Sequence, residues 1–138
     1  MDPTPLLNAP IAVRIHFFTV VPAFLLGTWL LFASTKGSPR HRVIGKVYLT
    51  LMSITAAATI FIRAFSSVSI GLGPFRFGLL HLFIPLTVWS VWTALRTVRR
   101  GEIAAHQGAM RGLYFGGLVI AGLLTFLPGR IMYRMFFE

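Results

Sequence analysis

Residues 11–33 read IAVRIHFFTVVPAFLLGTWLLFA, with one formal charge, at Arg14. As a helix such a stretch reaches roughly 34 Å at 1.5 Å per residue, enough to cross a hydrocarbon layer of about 30 Å. Working outward, comparable apolar runs recur at 41–64, 77–97 and 104–127. Between them lie turn-forming stretches: Lys36-Gly37-Ser38-Pro39, the Ser- and Gly-rich 66–74, and Arg99-Arg100-Gly101-Glu102. The expectation is one domain over residues 1–138, an all-α membrane protein built as a four-transmembrane-helix bundle. The tail 130–138, aromatic and basic, reads as an interfacial stretch.

Composition agrees. The chain has 138 residues, 56% of them hydrophobic and 12% charged, and its mean hydropathy is +0.78. A soluble domain of this size needs more polar surface than that. The net charge of +10 reflects a shortage of acids, since 13 Lys and Arg face three Asp and Glu. The basic residues cluster at the ends of apolar segments, which suits topology signals and lipid headgroups and argues against nucleic acid. Without cysteine there are no disulfides, thiolate metal sites or thiol nucleophiles. The opening Met-Asp-Pro-Thr-Pro lacks the basic region of a cleaved signal, so the first segment is expected to stay as a helix.

Charge asymmetry sets the expected orientation. Lys36, Arg40, Arg42, Lys46, Arg96, Arg99, Arg100 and Arg111 flank the first and third loops; Arg14, Arg63, Arg76, Arg130 and Arg134 lie on the other side. The richer side belongs in the cytoplasm. Both termini are then periplasmic, in a multi-pass protein of the bacterial inner membrane.

Each segment carries one histidine: His16, His41, His81 and His106. Twenty-five residues separate His16 from His41, and the same number separates His81 from His106. A shift of 65 superposes the two halves without a gap, matching Phe18 with Phe83, Thr28 with Thr93, Lys46 with Arg111 and Phe61 with Phe126. Two hairpins repeated in one orientation pack about a pseudo-two-fold axis along the membrane normal. That arrangement pairs His16 with His81 toward the outer face and His41 with His106 toward the inner one. An intramembrane ionisable side chain is costly and marks function by default. Neutral imidazole is a good axial ligand for haem iron, so the layout points to two bis-histidine b haems. Arg42, Lys46 and Arg111 near the inner pair, and Arg14 and Arg76 near the outer, are candidate partners for propionates. No acid falls within a segment, which argues against carboxylate-bridged di-iron centres and acid-dependent transport. Pro22 and Pro85 are expected to kink their helices.

The stretch His41-Arg42-Val43-Ile44-Gly45-Lys46-Val47-Tyr48 resembles the His-Arg-x-x-Gly-x-x-Tyr signature of an uncharacterised bacterial membrane-protein family, domain-of-unknown-function family 2306, and His106-Gln107-Gly108-Ala109-Met110-Arg111 resembles its second motif. The resemblance implies the four-segment layout and recurring histidines, and no known activity. One histidine per helix is also similar to di-haem cytochrome b and transmembrane ferric reductase proteins, an analogy of layout only. The expected function is electron transfer through two b haems, leaving open whether the protein is a membrane oxidoreductase. Expected partners are the lipid bilayer and a quinone or another redox protein, with a homo-oligomer left open. The alternatives are a non-enzymatic subunit or scaffold of a larger complex and a small transporter.

Overall fold

The structure is a computed structural model and describes residues 2–62, 69–72 and 75–138. After a short helix α1 (Thr4–Leu7) come two long ones, α2 (Ile11–Phe32) and α3 (Pro39–Ile60). A hairpin follows, with β1 (Ser69–Leu72) antiparallel to β2 (Phe75–Gly78) and Leu72 opposite Phe75. A 3-10 turn (Leu79–Leu82) leads into α4 (Phe83–Arg99). The last long helix is composite: α5 (Ile103–Tyr114), a π-helical turn (Phe115–Ile120) and α6 (Ala121–Leu124). A final helix, α7 (Ile131–Phe137), packs on α1. α2 packs on α3, α3 on α4, and α4 on α5 and the π turn, while α5 returns to α2.

Local chemistry explains the boundaries. The Ser38 hydroxyl accepts from the His41 N–H at 3.2 Å and caps α3, with Pro39 at its first position. Gly37 and Gly101 take φ of +77° and +74° in the two tight connections, a region that side chains with a Cβ avoid. α3 stops at Ile60, four residues before the expected end, and the third helix starts at Phe83 rather than residue 77. Proline accounts for the late start. Beginning at Phe83 puts Pro85 in the first turn, where its missing N–H has no helical acceptor to lose. No interior kink is therefore needed at Pro85. Pro22, by contrast, sits inside the continuous α2.

α2 and α3 are long and apolar enough to cross a membrane, and only 17% and 33% of their apolar windows are buried. Phe18, Leu25, Phe32, Val43 and Trp89 lie on the outside. Water tolerates single exposed apolar side chains but not a surface made of them.

Helix packing is close at Gly27. A Cβ there would lie 2.8 Å from the Tyr48 ring and 2.9 Å from the Tyr114 ring, so three helices meet where one side chain is absent. Around this point pack Ala23, Leu30, Leu49, Met52, Leu113 and Leu118. The Tyr114 hydroxyl hydrogen-bonds Thr28 at 2.8 Å, whereas the buried Tyr48 hydroxyl has no partner among the described residues. Gly27→Ala is expected to cost about 1–3 kcal/mol by overpacking, and Tyr48→Phe to be neutral or stabilising because it removes an unsatisfied group. Thermal unfolding in detergent measures both.

Candidate functional site

The helices bring the histidines together by ends. At the end carrying α1 and α7, called here the terminal end, His16 from the first turns of α2 and His81 from the 3-10 turn line one cavity of about 620 Å³. At the opposite end His41 and His106 stand within electrostatic reach of each other.

Each imidazole is held by a neighbour. His16 Nδ1 lies 2.9 Å from the Thr59 hydroxyl and 3.3 Å from the Thr55 carbonyl. The Thr59 hydroxyl donates to that same carbonyl at 2.8 Å, so it accepts from His16 and Nδ1 carries the proton. His106 Nδ1 lies 2.9 Å from the Ala94 carbonyl, a pure acceptor, and is protonated too. His41 Nδ1 lies 2.7 Å from the Ser34 hydroxyl, which donates to Leu30, so His41 is the donor there. Anchoring Nδ1–H leaves the Nε2 lone pair available, the arrangement seen in metal-ligating histidines. His81 is turned the other way, with Nε2 donating to the Ile62 carbonyl at 2.9 Å. Among the described residues there is no cluster of three or more metal-ligating side chains.

The rest of the cavity is mostly apolar: Phe17, Val20 and Phe24 of α2, Met52 of α3, and Leu118, Leu123 and Phe126 of the last helix and the turn after it. Small polar groups interrupt this wall at Thr55, Thr59, Thr87 and Tyr114. Thr19 bonds Thr55 across the α2–α3 contact at 2.7 Å. The π turn forms part of the wall, bringing Gly117 to where a Cβ would lie 3.3 Å from the Met52 methyl and 3.5 Å from the Thr87 hydroxyl. Wide turns of this kind recur at functional sites.

The cationic candidates fare differently. Arg42, Lys46 and Arg111 are exposed on α3 and α5. Arg14 sits beside the cavity-lining Val13 but is not itself part of the lining, and its Nε is buried without a partner among the described residues. Arg76 falls on β2 and Arg63 between α3 and β1; the Arg76 side chain and all of Arg63 lie outside the described residues. The arginines that do line the cavity, Arg130 and Arg134, were assigned by sequence only to an interfacial tail. Their one sequence signal is a spacing of four beyond the turn-forming Pro128-Gly129.

An apolar exterior, membrane-length helices and a polar-spotted internal cavity define a helical membrane protein. More particularly, the chain belongs to the family described as Predicted membrane protein (DUF2306), which it matches over residues 13–136. No curated protein and no solved structure matches it.

Nitrogen-15 spectra of imidazole-labelled protein are expected to show His16, His41 and His106 as Nδ1–H tautomers and His81 as Nε2–H. Thr59→Val is expected to shift the His16 signals selectively, at a stability cost of about 1 kcal/mol.

Proposed function

We propose that this protein is a b-type haem-binding electron-transfer protein of the bacterial inner membrane, with four spans, periplasmic termini and one bis-histidine site toward each face. The observation that carries the reading is His16 and His81, from separate hairpins, lining one largely apolar cavity. Its volume lies within the ~300–1,000 Å³ usual for cofactor pockets. His41 and His106, within electrostatic reach of each other at the other end and each with Nδ1 anchored, would be the second ligand pair. The even placement of one histidine at each end of each hairpin supports the duplicated layout.

Haem supplies one-electron redox chemistry when bound. The chain's part is to bind, orient and keep water out. Thr55 and Thr59 fix the His16 ring and aim Nε2 away from their own helix. His81, whose Nε2 donates to the Ile62 carbonyl, would be the second residue to hold the haem there. Phe17, Phe24 and Phe126 provide flat apolar walls. A quinone or a second redox protein is the partner class such a site serves.

One observation favours a second reading, a non-enzymatic membrane subunit. Every histidine is already hydrogen-bonded inside the protein, so all four serve equally as fasteners between neighbouring segments. Purified wild type, expressed with a supply of haem precursor, is expected to show a Soret band and about two haems per chain. His16→Ala is expected to retain the far-ultraviolet helical signal and lose one haem. A folded wild type without a Soret band rules the haem reading out and leaves the fastener role.

A further inference from the structure

The cavity has a charged rim as well as an apolar interior. Arg130 and Arg134 both line it, and neither guanidinium makes a hydrogen bond or ion pair with any described residue. Their position is built. Gly129 takes φ +85°, reversing the chain after α6. α7 then lies against α1, with the Asp2 N–H donating to the Met135 carbonyl at 3.0 Å and Leu6 and Met135 both buried. This clasp of the two chain ends holds the arginines at the cavity.

Among the described residues no carboxylate pairs with them. Of the chain's three side-chain carboxylates, Asp2 accepts from the Thr4 hydroxyl at 2.5 Å and from the Thr4 N–H at 2.9 Å. Those bonds hold its carboxyl below the usual range. Glu102 is at the opposite end, before α5, and Glu138, four residues past the equally exposed Arg134, makes no ion pair with it. An apolar chamber whose rim carries two unneutralised guanidiniums is complementary to a flat apolar body bearing carboxylates at one end.

We propose that Arg130 and Arg134 are the anion-binding pair of the terminal-end cavity and hold the acidic groups of its occupant, the propionates where that occupant is haem. The assignment rests on the haem reading above.

The test compares haemin with its dimethyl ester, which keeps the ring and removes both negative charges. Apoprotein in phosphatidylcholine nanodiscs is titrated with each and followed by Soret absorbance. Wild type is expected to bind haemin more tightly than the ester. Arg130→Gln with Arg134→Gln is expected to weaken haemin on the order of 10-fold or more, as loss of charge-assisted hydrogen bonds implies, with ester binding unchanged. Retained ester binding also reports that the cavity is folded. Equal haemin affinity in variant and wild type overturns the proposal while sparing the haem reading, and so does equal binding of haemin and ester by wild type. A wild type that binds neither overturns both. Nanodiscs containing phosphatidylglycerol supply the other source of anions. An unchanged preference there is expected, and its loss assigns the arginines to lipid phosphate and overturns the proposal.

Discussion

The missing side chain at Gly27 lets two buried tyrosine rings, from α3 and α5, approach the backbone of α2. In a lipid environment apolar burial does little to hold helices together, because acyl chains are as apolar as leucine, and close packing between small residues takes over. This contact pins α2 to two neighbours at once, and the Thr28–Tyr114 hydrogen bond locks it. From the pin toward the chain ends, the space between α2 and the composite last helix is the cavity. Tight packing at one level and an open chamber at the next are two aspects of one helix arrangement.

Polar contacts between segments are few and local. Thr19 with Thr55, His16 with Thr55 and Thr59, His81 with Ile62, Ser34 with His41 and His106 with Ala94 each fasten a segment to one close by in sequence or space. Such bonds add only modestly to stability in membranes, about 0.6 kcal/mol on average, yet they fix ring orientation closely. Here the same contacts that join neighbouring segments also decide which imidazole nitrogen carries the proton.

The apolar character of the segments was legible in sequence, because hydropathy is a length-scale signal, and the placing of His16 and His81 toward one end, where both line the cavity, followed from a spacing that crosses one hairpin. The start of α4 was not. Residues 77–88, FGLLHLFIPLTV, read as one largely apolar stretch, and hydropathy cannot say that Pro85 moves the helix start to Phe83. The β1–β2 hairpin was hidden for a similar reason, although Phe75-Arg76-Phe77 alternates as a strand does. The π turn has no hydropathy signal at all; Gly116-Gly117 hints at close packing without fixing the width of the turn. Most instructive are Arg130 and Arg134. A basic aromatic tail reads as interfacial, and only the reversal at Gly129 and the docking of α7 on α1 bring it back over the chamber.

The wide turn at Phe115–Ile120 also fixes a rotational register. Winding the same six residues as an ordinary α-helix would swing everything beyond them by roughly 100° about the helix axis. Leu123 and Phe126 would leave the chamber wall, and the segment after them would start in the wrong direction. The wide winding of this turn acts as an angular shim: how the stretch is wound, as much as which residues it contains, determines where the last part of the chain is aimed.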